Sequence, residues 1–223
     1  AQKNADSKYI ELAYDTNVSS QKKLTFTLDG VDISGSTIVR VDNSGEYIVG
    51  LVAKEGYTLP SSIADEDITV GDDATTKLTC ALSTVGNSDS AAQLTISNVT
   101  ADAVIALKGV LKAPTVETNG NVNKTYDGED VTLFVTPHHE ASGVTYTYQW
   151  SKGDVAISNA TSASYTLTAP GVTGEDCDTY TCTVTATDGS GRTATATADI
   201  TVQITEAEIE GITVTAYNGS YDG

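Results

Sequence analysis

The sequence predicts an all-β protein built from two consecutive sandwich domains, and three observations carry that expectation. Apolar and polar side chains alternate with period two in run after run, while helical periodicity is almost absent. The runs recur about every 8–12 residues between clusters of Gly, Asn, Asp and Ser, the spacing of all-β folds. Threonine fills 35 of the 223 positions, and β-branched residues favour a pleated, half-buried surface.

In chain order, Leu24, Phe26 and Leu28 share one face of the first clear strand, with Thr25 and Thr27 on the other. Leu94 and Ile96 alternate with Thr95 in the same way. A strand-like run from Val104 to Leu111 leads to Pro114 and a polar stretch, which marks a boundary. The first domain is expected over 7–113 and the second over 114–204. In the second, Tyr180, Cys182, Val184 and Ala186 oppose Thr181, Thr183, Thr185 and Thr187. The next strand sets Ala194, Ala196, Ala198, Ile200 and Val202 against Thr193, Thr195, Thr197 and Thr201. One apolar flank and one hydroxyl flank imply antiparallel sheets packed face to face. Residues 205–223 restart a strand pattern and read as the truncated start of a third β module.

Charge excludes some functions. Thirty acidic side chains face twelve basic ones, a net charge of -18. A polyphosphate backbone would be repelled, so nucleic acid is not an expected partner. An anionic membrane is disfavoured too, and no window approaches the ~20 apolar residues of a membrane span. There is no Met, and AQKNADSKYI has no apolar signal core. The expected object is a monomeric segment of a longer chain. Cys80, Cys177 and Cys182 are odd in number and form no CxxC, so neither a disulfide framework nor a zinc site is expected.

The second domain resembles a known family. Val131-Thr132-Leu133-Phe134-Val135 resembles the B strand of immunoglobulin-like domains, and Tyr148-Gln149-Trp150 their C strand with its core Trp. Ser164-Tyr165-Thr166-Leu167 is similar to strand E. Asp176 to Cys182 resembles the Asp-x-x-x-Tyr-x-Cys of the E–F corner and F strand. The resemblance implies a Tyr180 hydroxyl bonded to backbone upstream. Val135 stands where the family usually has the partner cysteine, so Cys182 is expected as a buried free thiol near Trp150. That departure is common in bacterial members. The first domain resembles a repeat of bacterial surface proteins, through Gly45-Glu46-Tyr47-Ile48-Val49, Ala53 to Pro60, and Leu94-Thr95-Ile96-Ser97-Asn98-Val99-Thr100-Ala101-Asp102. Tyr217 to Gly223 resembles the opening of their Tyr-Asp-Gly repeats. Together these resemblances imply two tandem immunoglobulin-like β-sandwiches from a wall-anchored or secreted bacterial protein, with a gut anaerobe as host organism.

Candidate chemistry is sparse. His138-His139-Glu140 follows Pro137 and reads as solvated residues of a B–C loop. Calcium is the one cofactor that the acidic clusters suggest: Asp65-Glu66-Asp67 with Asp72-Asp73, Glu175 with Asp176 and Asp178, and Asp127 with Glu129 and Asp130. None has EF-hand spacing, and solvated turns are the expected reading. Asp188-Gly189-Ser190-Gly191 reads as a plain hairpin turn. Lys22, Lys23, Lys77, Lys108 and Lys124 lie where an internal Lys–Asn amide would need a lysine, although solubility charges explain them. No nucleophile elbow, phosphate loop or Cys–His pair occurs, so the chain is not expected to be an enzyme, and no catalytic or metal residue is assigned.

The expected function is adhesion: binding of a host surface or secreted protein or a glycan, with immunoglobulin among the partners. Tyr9, Tyr14, Tyr47 and Tyr57 are the candidate anchors, because Tyr is favoured at binding surfaces; some of them must be core. The alternative is a purely structural spacer.

Overall fold

The computed structural model describes residues 24–34, 46–71, 78–86, 88–99, 101–172 and 175–208, together with the backbone of 9–12 and 40–41. Among the described residues it is all-β, with one short 3-10 turn at Asp65–Asp67. By its internal contacts the chain forms two compact units. The first comprises 1–114 with 138–146 and 185–195; the second comprises 115–137, 147–184 and 196–223.

The first unit contains β1 (Tyr9–Leu12), β2 (Leu24–Asp29), β3 (Val31–Ile33), β4 (Arg40–Val41), β5 (Tyr47–Ala53), β6 (Tyr57–Thr58), β7 (Ile68–Val70), β8 (Thr79–Thr84), β9 (Ala91–Ser97), β10 (Ala103–Lys108) and β11 (Val110–Leu111). One sheet runs β1-β2-β10-β7 and the other β3-β5-β9-β8, with β4 also on β5 and a separate β6–β11 pair. The alternation read from sequence sets the buried face: Leu24, Phe26 and Leu28 meet Ile105 and Leu107 on one sheet, and Val49, Leu51, Leu94 and Ile96 on the other. Each such burial stabilises the fold by about 1.5–3 kcal/mol.

The sheets are not purely antiparallel as expected. β10 lies parallel to β2, Ile105 opposite Phe26. A parallel pair needs a crossover of a dozen residues or more, and here β3 to β9, the whole second sheet among them, lie between the two strands. No local pattern announces such a pairing.

The second unit is built on β12 (Thr115–Thr118), β13 (Val122–Thr125), β16 (Val155–Ala156), β17 (Ser164–Leu167) and the greater part of β14 (Val131–His138), β15 (Thr145–Lys152), β18 (Thr179–Thr187) and β19 (Thr193–Thr205), whose residues within 138–146 and 185–195 belong to the first unit. Its sheets run β12-β14-β17 and β13-β19-β18-β15-β16. β13 again pairs parallel, with β19. Asn119-Gly120-Asn121 carries the chain from one sheet to the other. The Asn119 side chain donates to Thr132 O and accepts from the Phe134 N–H, while Asn121 accepts from the Thr201 N–H. Gly120 turns the corner at φ +83°, with open space where a Cβ would stand. Gly120→Val therefore incurs the backbone penalty alone and should lower stability by about 1–2 kcal/mol, measured by urea unfolding.

The core of this unit is the expected one. Trp150 and Cys182 are fully buried, Val135 and Tyr180 nearly so. The indole N–H donates to Ser162 O at 2.9 Å. Tyr165 lies between the Trp150 and Tyr180 rings, 6.1 and 5.9 Å from their centroids. The Tyr180 hydroxyl donates to Asp176 O four residues upstream at 3.3 Å. All three cysteines are free. Burial pushes the Cys182 thiol up to about 11, so thiolate is scarce. Cys182 should resist alkylation in the folded chain at mildly alkaline pH and react after denaturation, which peptide mass spectrometry would show.

Candidate functional site

The most constructed polar arrangement among the described residues lies in the first unit, where the hairpin between β18 and β19 meets the β2–β3 turn. Sequence makes the hairpin: the Asp188 carboxylate folds back so that Oδ1 accepts the N–H groups of Ser190 and Arg192, both at 2.9 Å. Its Oδ2 accepts the Arg192 Nε–H at 2.7 Å and the Tyr57 hydroxyl at 3.1 Å. Asp188 is only 7% exposed. Burial alone would raise its pKa, but the hydrogen bonds from Arg192, Ser190 and Tyr57 outweigh it and hold the carboxyl below its ordinary value.

Arg192 spends its guanidinium on four acceptors. Besides Asp188, one terminal nitrogen donates to the main-chain oxygens of Asp29 and Gly109, and the other to Asp29 Oδ1, each at 3.0 Å. The guanidinium carbon sits 4.7 Å from the Tyr57 ring centroid, a cation–π stack. Ser190 Oγ adds a bond to Asp29 Oδ2. Lysine has no planar fork to reproduce this. Gly30, at φ +73°, leaves the room: a Cβ there would stand 2.9 Å from Tyr57 Cδ1 and 3.1 Å from an Arg192 terminal nitrogen. Gly30→Ala should therefore cost more than Gly120→Val, about 2–4 kcal/mol from strain and displacement together, read from the same urea transition.

Beside this clasp opens a shallow cleft of about 390 Å³, whose lining includes Asp29, Lys54, Glu55, Tyr57, Glu140 and Ser142. Its wall is fixed by His139, which lies in the expected loop between β14 and β15 but is half-buried and bonded instead of solvated. Its Nδ1 accepts the Ala141 N–H and its Nε2 bonds to Lys112 O, both at 2.9 Å. His138, also expected in that loop, instead ends β14. The cleft has mixed charge.

Of the four tyrosines expected as anchors, the side chains of Tyr47 and Tyr57 are described. Tyr47 is a core side chain of β5, because its place in the alternation falls on the inner face; this corrects its reading as an anchor. Tyr57 is half-buried beneath Arg192. Only the backbone of Tyr9 is described, in β1, and Tyr14 lies outside the described residues. The hairpin read as a plain turn holds the best-partnered carboxylate of the site, and the Asp-x-x-x-Arg spacing was the one signal available for it.

The acidic clusters go to local work. Asp67 pairs with Lys108. Asp127 pairs with Lys124 and accepts the Glu129 N–H. Asp130 accepts from Ala169, Asp176 from Gly171 and Asp178 from Thr179. Asp72, Asp73, Lys22, Lys23 and Lys77 lie outside the described residues. Among the described residues no group of three or more His, Cys, Asp or Glu side chains is arranged to hold a metal.

Residues 113–202 match the immunoglobulin domain family. No curated protein matches the chain. Among solved structures, murine CRIg is similar at 16% identity, over 41% of this chain and 97% of that one, with a TM-score of 0.32. The PKD1 domain of Epp from Vibrio anguillarum is similar at 24% identity, over 41% and 95%, with a TM-score of 0.28. The N-terminal four immunoglobulin domains of Dscam1 isoform 4.44 are similar at 11% identity, over 87% of this chain and 37% of theirs, with a TM-score of 0.29.

Proposed function

We propose that the chain is a non-catalytic structural module of an extracellular surface protein, one that spaces or presents other parts of that protein. Immunoglobulin-like domains are typically extracellular and non-catalytic, and no helix among the described residues is long and apolar enough to cross a membrane. The observation that carries the reading is where the polar side chains go. The aromatic and charged groups of the site bond to one another. The outward flank of β18 and β19 is a hydroxyl ladder, with Thr193, Thr195, Thr197 and Thr201 exposed on β19. Thr181 donates to Asp199 at 2.7 Å, and Thr179 faces Thr201 at 3.3 Å. Such a flank is well hydrated and offers no aromatic anchor.

A second reading, adhesion to a host protein (immunoglobulin included) or glycan, is favoured by one feature. Phe134 is 46% exposed on the outer face of β14, beside the Thr132–Thr166 hydroxyl pair. One experiment separates the readings: retention of serum proteins, mucus proteins and glycans by the immobilised chain, against an unrelated acidic β-sandwich. The structural reading predicts no enrichment. Reproducible enrichment lost in Phe134→Ser would overturn it in favour of adhesion.

A further inference from the structure

We propose that Arg192 is a long-range latch: residues 54–58 and 109–112 of the first unit hold their native packing only when the hairpin 187–193 is seated on them. This goes beyond the role proposed above and holds whether the chain spaces or binds. The argument is one of completeness. Tyr57 and Asp188 are 131 positions apart in sequence, Asp29 and Arg192 163. Yet the first unit's own main chain is finished by Arg192, which caps the carbonyl of Gly109 between β10 and β11 and that of Asp29 at the end of β2. The Asp29 carbonyl also accepts the Gly109 N–H at 2.7 Å, so the guanidinium sits on the junction that sets the β2–β10 pairing.

Three further features belong to a latch and not to a casual surface contact. The guanidinium side chain is only 21% exposed, which limits solvent screening. Asp188 orients it from the same hairpin, so hook and holder come as one piece. Gly30 keeps open the space that the hook and the Tyr57 ring fill. A second tie, the Gly56 carbonyl accepting from Lys112 N–H while His139 holds the Lys112 carbonyl, fastens the neighbouring strand ends. Opening of the latch is then the local unfolding event of this unit that frees β6 and β11.

Hydrogen exchange of the full chain, read by mass spectrometry, tests this. In Arg192→Ala the amides of 54–58 and 109–112 are expected to exchange at least about tenfold faster, with 131–137 and 147–152 unchanged. Arg192→Lys keeps the charge and loses the fork, and is expected to behave nearly as Ala does. The proposal is overturned if Arg192→Ala leaves 54–58 and 109–112 within about twofold of the parent, or if Lys restores full protection. Should Arg192→Ala not fold, Lys and Tyr57→Phe carry the test. Tyr57→Phe keeps the stack and loses the bond to Asp188, and faster exchange confined to the same two segments supports the latch. Parent-like exchange in both variants overturns it.

Discussion

Trp150→Ala is expected to destabilise the second unit by about 3–5 kcal/mol, the largest single effect in this chain. Domains of this size hold only about 5–15 kcal/mol in total, so much of the unit's stability rests on one ring. Trp150 is fully buried, its N–H is bonded to Ser162, and its loss would also free Tyr165, which lies between it and Tyr180. No disulfide limits the damage. A bridge of the kind common in this fold contributes about 2–5 kcal/mol, and here Val135 occupies the partner's place while Cys182 stays a thiol. Urea unfolding should show a lower midpoint with a nearly unchanged slope if the cavity is the cause, and a changed slope if the sheets part.

Asp188→Ala is expected to destabilise the first unit by about 2–3 kcal/mol, an effect of the same order as that of Gly30→Ala. Breaking a buried charge pair costs about 3–5 kcal/mol, and the one-fifth exposure of Arg192 reduces that. Four donors lose their acceptor: the Ser190 and Arg192 amides, the Arg192 Nε–H and the Tyr57 hydroxyl. Acid should imitate the substitution. The Asp188 pKa is lowered in the folded chain, so its contribution is complete above the ordinary aspartate value and is lost as pH falls through the lowered one. Arg192 and Tyr57 face it directly and Asp29 faces Arg192; both Arg192 and Tyr57 keep their protons throughout that range. Thermal unfolding against pH should show the first unit weakening in acid, and the weakening should be smaller in Asp188→Ala.

Much of this fold is legible in the sequence because its signals are local. Period two places Leu24, Phe26 and Leu28, or Tyr180, Cys182 and Val184, on one face without knowledge of any partner. The Trp150, Tyr180 and Cys182 spacing carries the second unit's core. What could not be read was long-range. β2 pairs parallel with β10 across the intervening sheet, and Asp188 finds Tyr57 far back in the chain. A turn sequence such as Asp-Gly-Ser-Gly reads the same whether its carboxylate is solvated or captured. Tyr47 and Tyr57 look alike in composition; only strand phase puts one in the core, and only the hairpin puts the other under a guanidinium.

A tryptophan that occurs once in the chain offers the most direct test of the sandwich itself. Its fluorescence should be blue-shifted and resist acrylamide quenching in the native protein, then move to the red and quench freely in denaturant. Water-like, readily quenched emission from the native chain would mean that Trp150 faces solvent and that the second unit is not folded as described.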